Sequence, residues 1–129
     1  MIRAINPDGM APPFRHYAHA IAVPANARWL SVSGQLGVLP DGTMADGIEA
    51  QTEAAWRNIE RILEADGMAV DDIVKVVQYL TSFADRDAHM AVRKRFLGDH
   101  RPSSTLLFVS SLAQPEWLVE VEVMAAKVD

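Results

Sequence analysis

Apolar residues recur at helical spacing in only two stretches of this 129-residue chain, and strand-like patterns fill most of the remainder. The first stretch opens at Asp46 and places Ile48, Thr52, Ala55, Trp56, Ile59, Ile62 and Leu63 at helical spacing. Asp46 with Glu49 three residues on has the spacing of a capping box, and Gly67 supplies the stop. The second stretch opens at Asp85, sets Ala88, Val92 and Phe96 on one face and ends at Gly98. Two helices cannot cover both faces of a sheet of roughly five or six strands, so they cover one. The other face needs a different cover.

The strands follow from the alternation between these points. A short strand at 2–5 precedes a loop holding Pro7, Gly9, Pro12 and Pro13. Residues 17–23 alternate Tyr17, His19, Ile21 and Val23 against alanines. A turn at 24–27 leads to a strand at 28–35, and Pro40-Asp41-Gly42 turns the chain again. Residues 70–81 are β-branched or apolar at most positions and read as a central strand. Strands at 104–111 and 117–126 close the chain. The expected order is β-β-α-β-α-β-β, an α+β fold with a mixed sheet, as one domain over 1–129. The long helical connection from 28–35 to 70–81 predicts a parallel crossover.

The last strand bears on the uncovered face. Trp117, Val119, Val121, Val123 and Ala125 form an apolar side for the helices. The opposite side holds Leu118, Glu120, Glu122, Met124 and Ala126, less polar than a freely solvated face. We expect that face to be buried against other copies of the chain, most economically in a closed ring. Scattered surface apolars are the simpler account.

Composition removes whole classes of function. Hydrophobic residues at 50% and charged residues at 22% mark an ordinary globular chain. A formal net charge of −5 does not favour nucleic acid as a partner. No cysteine means no thiolate nucleophile, disulfide or Cys-based metal site, and fits a cytoplasmic protein. No apolar run approaches the roughly 18 residues of a membrane span, and none at the start has signal-peptide length.

Glu120 and Glu122 are the best candidates for chemistry. On an exposed edge they are two solvated carboxylates. At an interface, a carboxylate can hold or activate a water. His16 and His19 point to opposite faces of an extended segment, a poor geometry for zinc. His89 and His100 read as surface residues. Ser33-Gly34-Gln35 ends a strand where glycine lets a backbone N–H approach a ligand, or marks a bulge. No serine has an evident base partner. Asn58 reads as a structural hydrogen-bonder. Arg93, Lys94 and Arg95 read as a solvated basic face near a helix C-terminus, with a second reading that turns Arg93 toward a ligand carboxylate.

Several of these pieces occur in a recognisable order: Tyr17-Ala-His-Ala, Ser33-Gly34-Gln35, Gln51 with Asn58, Gly67-Met68, Asp72-Ile-Val-Lys75, Pro102 and Val119-Glu120-Val121-Glu122. The chain resembles the YjgF/RidA family of reactive-intermediate deaminases over nearly its whole length. The resemblance implies a chorismate-mutase-like fold and a homotrimer with three clefts between subunits. It implies hydrolysis of small enamines and imines without metal or organic cofactor. By position, Tyr17 matches the tyrosine lining the cleft, Ser33 and Gly34 the Ser-Gly that contacts the ligand, and Glu120 the glutamate that holds the attacking water. Ser104 stands where the deaminases carry an arginine for the substrate carboxylate, Leu106 where many carry cysteine, and Met90 where asparagine is common. The chain therefore resembles a divergent branch, and 2-aminoacrylate is not its expected substrate. Arg93, His19, Arg15 or Arg101 could replace the missing charge.

Two readings follow. The first is a cofactor-independent deaminase of a small imine or enamine, with Glu120 as base. The second is a non-catalytic trimer that binds a small ligand or a protein partner. Chorismate mutase shares the architecture but needs a cation cluster that these motifs do not supply.

Overall fold

Both helical periods become helices in the computed structural model, which describes all 129 residues: α1 spans Gly47–Ala65 and α2 spans Arg86–Leu97. Gly67 (φ 70°) and Gly98 (φ 59°) take the left-handed backbone that ends each helix, as their positions predicted. The capping box at Asp46 does not form, because the Asp46 side chain makes no cap hydrogen bond. Gly47, the first residue of α1, stands at φ 85°, outside helical geometry, so the chain does not enter the helix as a capping box requires.

The strands are β1 (Arg3–Ile5), β2 (Ala20–Ala22), β3 (Arg28–Leu36), β4 (Ile73–Leu80), β5 (Ser103–Phe108) and β6 (Val119–Lys127). Several are shorter than the alternation suggested. Only Ala20–Ala22 of the 17–23 segment pairs, antiparallel to β1. Residues 70–72 form a 3-10 turn, not strand, and Asp72 accepts the Ala69 N–H at 2.9 Å there. Apolar content alone does not reveal such a turn; the carboxylate that closes it does.

β3, β6, β4 and β5 form one sheet in that order, and β1 and β2 form a separate pair. A six-stranded sheet does not form. The Ala18–Ser103 bridge ties the pair's approach segment to the start of β5. β6 runs antiparallel to both β3 and β4, so β3 and β4 are parallel with β6 inserted between them. β4 and β5 are parallel neighbours joined through α2. The expected crossover is present, split by the C-terminal strand.

Both helices lie on one face. Trp56, Ile59 and Leu63 of α1 pack in one cluster with Val76, Leu80, Val119, Val121, Val123 and Ala125, all fully or almost fully buried. Each of the valine, leucine and isoleucine side chains contributes about 1.5–3 kcal/mol on leaving water. Trp56 stacks on Phe96 of α2 with ring centroids 6.1 Å apart, which joins the two helices. The register puts Lys75, Val77 and Tyr79 beside Met124, Glu122 and Glu120 on the opposite face. There Trp29 is 53% exposed and Met124 39%, so that face carries the uncovered apolar surface the sequence pointed to.

Candidate active site on two faces

Glu120 owes its position to pairing on both sides: Leu36 of β3 and Tyr79 of β4 are its partners across the sheet. β3 loses register between Val32 and Gln35, which leaves Ser33 and Gly34 in a bulge. The Glu120 side chain lies on the Gly34 backbone. A Cβ at Gly34 would stand 2.7 Å from Glu120 Cδ and 2.9 Å from Cγ. Glycine is required here for space, not for a left-handed backbone. Ser33 is exposed beside it.

The two glutamates differ in what they hold. Tyr79 Oη donates to Glu122 Oε1 at 2.6 Å, and that bond raises the phenol's pKa. Glu120 has no hydrogen-bond partner within the chain. One carboxylate on this face is engaged, and its neighbour has no partner within the chain. Sequence reasoning missed Tyr79. The signal is the alternation Lys75, Val77, Tyr79 within 70–81, but only the register shows that it meets the glutamates.

The remaining candidates lie elsewhere. Ser104 and Leu106 pair with Val76 and Gln78, which places them on the helix side of the edge strand β5. Ser104 Oγ accepts the Gln78 Nε2–H at 3.0 Å, and Leu106 packs against the core cluster. The Ala18 N–H donates to Pro102 O at 3.0 Å, which brings Tyr17 to the start of β5. Tyr17 Oη accepts the Phe14 N–H at 3.2 Å, and its ring meets His19 edge-on.

Arg93 is not part of a solvated basic face. It is fully buried, and burial alone lowers its pKa to about 10, so it stays cationic near neutral pH. Its Nη1–H donates to His16 O at 2.9 Å, while Nε and Nη2 have no partner. The sequence suggested a surface position because Lys94 and Arg95 flank it, but α2 turns position 93 inward with His89 and Val92.

The histidines also depart from expectation. His89 is fully buried, with its pKa lowered to about 4 first by desolvation and then by the Arg93 charge. His100 is half-buried and its Nε2–H donates to Ile73 O at 2.7 Å, a structural pin. His19 Nε2–H donates to Ala11 O at 2.8 Å. No three His, Asp or Glu side chains converge as metal ligands would. Asn58 donates to Val38 O at 2.9 Å, in keeping with its structural reading.

Two concavities flank these residues. One of 550 Å³ runs along α2 between Phe14, His16 and Met90, with Arg15, Arg86 and Lys94 at its rim. Another of 790 Å³ lies between the β1–β2 pair and the end of β6, lined by Ile21, Asp72, His100 and Lys127 among others. Of the candidates for the missing charge it contains Arg101, but none of Glu120, Ser33, Gly34, Tyr17, Ser104, Leu106 or Arg93, so its volume alone does not make it the site.

The candidates thus form two half-sites. Glu120, Ser33 and Gly34 occupy the open sheet face. Tyr17, Ser104, Leu106 and Arg93 gather at the β5 edge and on the helix side. β4 separates β6 from β5, so the halves stand two strand spacings apart, about 10 Å, with opposite orientation. One molecule does not present both to one small ligand.

A two-helix α+β chain with a split crossover and a glutamate seated on a glycine bulge defines the class of protein. The family model described as Endoribonuclease L-PSP matches residues 9–127, and the chain belongs to that family, the YjgF/RidA proteins. A RutC family protein of Pyrococcus abyssi is 32% identical over 117 residues, covering 89% of each chain. The 2-iminobutanoate/2-iminopropanoate deaminase of Salmonella typhimurium is 29% identical over 99 residues, covering 74% of this chain and 77% of its own. Among solved structures, a Rid family protein of unknown function from Yersinia pestis superposes with a TM-score of 0.85 at 29% identity, over 98% of each chain.

Proposed function

We propose that this chain is a hydrolase of small imines or enamines, working without metal or organic cofactor in clefts between the subunits of a homotrimer. The observation that carries this reading is the pair of carboxylates on the open face. Glu122 is held by Tyr79, while Glu120 lies unpartnered against the Gly34 backbone. The Salmonella relative's deaminase name supports the same reaction class.

Glu120 accepts a proton from water as the oxygen attacks the C=N carbon. A C–O bond forms and the π pair moves to nitrogen, which takes the proton from Glu120. The carbinolamine then collapses: Glu120 takes the hydroxyl proton and returns it to nitrogen, the C–N bond breaks, ammonia leaves and a carbonyl remains. N–H groups released from the ladder at the Ser33–Gly34 bulge orient the substrate. Tyr17, Ser104 and Leu106 of a neighbouring copy complete the wall, and Arg93 behind them holds the His16–Tyr17 segment. The acidic net charge does not favour RNA as a substrate.

A second reading has one specific observation in its favour. Ser104 and Leu106 stand where the resemblance called for arginine and cysteine, as in a trimer that binds a small ligand or a protein without turnover. Glu120→Gln decides between the two. The amide keeps the shape but cannot take the proton. Ammonia release from an imine or enamine panel should fall to background in the variant while its sedimentation is unchanged. Wild-type release no faster than the uncatalysed rate across the panel supports the binding protein instead.

A further inference from the structure

Four polar side chains run from α1 through α2 and β4 to the edge strand: Thr52, His89, Gln78 and Ser104. The first three are fully buried. Their hydrogen-bond directions follow from one fixed point. The Thr105 carbonyl can only accept, so the Gln78 atom 2.9 Å from it is the amide nitrogen. That nitrogen also donates to Ser104 Oγ at 3.0 Å. Gln78 Oε1 therefore faces His89 Nε2 at 3.3 Å, which must carry a proton. His89 Nδ1 is then the acceptor, and the Thr52 hydroxyl donates to it at 3.5 Å. At the far end Ser104 Oγ accepts from Gln78, and its own proton has no acceptor in the chain.

We propose that the Thr52–His89–Gln78 chain holds Ser104 as a hydrogen-bond donor toward the ligand, so that the group bound there is a neutral carbonyl oxygen, as in an amide or ester, in place of a carboxylate. The proposal rests on the reading above that Ser104 lines the cleft. Ser104 is half-buried on the outer strand, so its hydroxyl is within reach of a ligand. One hydroxyl satisfies one neutral acceptor. A carboxylate there would keep its second oxygen unpartnered against the apolar Leu106 side chain, at a desolvation cost a neutral group avoids. Arg93 lies behind this wall, fully buried and bonded to His16 O. Ser104 is thus a specificity-determining contact, and Gln78 and His89 are positioning residues.

The probes are pyruvamide and pyruvate, analogues of the carbonyl product that differ only in this group. Binding is read by NMR titration of the wild-type protein and four variants. Wild type should bind pyruvamide more tightly than pyruvate. Ser104→Ala should weaken pyruvamide by about 5-fold, within the roughly 2- to 12-fold range of one neutral hydrogen bond, and leave pyruvate unchanged. Ser104→Thr should restore pyruvamide binding. Gln78→Glu presents an acceptor to Ser104, captures its proton and should lose pyruvamide binding as Ser104→Ala does. Ser104→Arg should reverse the preference toward pyruvate. Pyruvate bound as tightly as pyruvamide, pyruvamide unaffected by Ser104→Ala, or no pyruvamide binding at millimolar concentration overturns the proposal. Hydrolysis is scored separately through Glu120→Gln, so either idea can fail without the other.

Discussion

Gly34 and Glu120 form one unit, because the glutamate side chain occupies the space a Cβ would need. Gly34→Ala should therefore displace the carboxylate while the backbone conformation stays accessible. We expect a stability loss of about 1–3 kcal/mol, typical of an overpacked site, and loss of hydrolysis far beyond what that destabilisation explains. Urea midpoints measured beside turnover separate the two effects; unaltered turnover would show that the seat does not matter. His89 makes the fold acid-sensitive. Its folded pKa of about 4 lies below the ordinary 6.5, so the unfolded chain takes up the proton first as pH falls. Its contribution is complete above about 6.5 and is lost progressively toward 4, on the order of 3 kcal/mol in all. Equilibrium unfolding between pH 4.5 and 7.5, on a grid of about half a unit, should show that decline, and His89→Gln should flatten it. Glu120 was legible in the sequence because a carboxylate in an apolar strand stands out. His89 and Arg93 were not, because the phase of a short, charged helix decides whether a polar residue points inward, and three basic residues in a row hide that phase.

The elements were legible where punctuation was chemical. Gly67 and Gly98 end their helices because only glycine takes that backbone at no steric cost. The start of 70–81 is a turn and not strand because Asp72 closes it, which apolar content does not reveal. Register was not legible at all: that Tyr79 faces Glu120 depends on β6 inserting between β3 and β4, a pairing with no local signature. The approach to β6 depends on one residue of α1. Gln51, almost fully buried, donates to Glu116 O at 3.1 Å and accepts the Leu118 N–H at 2.9 Å. Gly37 permits this closeness, since a Cβ there would stand 2.6 Å from Gln51 Cβ. Gln51→Leu leaves two backbone groups unpaired and should cost about 2–4 kcal/mol. Hydrogen exchange should show faster opening at Leu118 than in the centre of β4; equal protection of both would mean that β6 holds itself in place.

For the whole molecule, the decisive fact is that the candidate residues divide between two faces about 10 Å apart across the sheet. Sequence reasoning reached the need for a cover from the helix count and the apolar even positions of the last strand. It did not show which residues fall in which half, because that requires the strand order. Trp29, Leu107 and Met124 give the open face its exposed apolar surface, so a second copy is its most economical cover. Sedimentation should give about three times the 14.2 kDa chain mass, and Met124→Glu should lower it. Subunit mixing tests the shared cleft directly. Glu120→Gln and Tyr17→Ala should each be nearly inactive alone, for damage in different halves. Unfolded together in equal amounts and refolded, they re-form trimers in which about a quarter of the clefts take a sound Glu120 from one chain and a sound Tyr17 from its neighbour. Ammonia release should then return to about a quarter of the wild-type level. If both halves acted within one chain, mixing would restore nothing, and the two faces of the sheet would have to be read as separate sites.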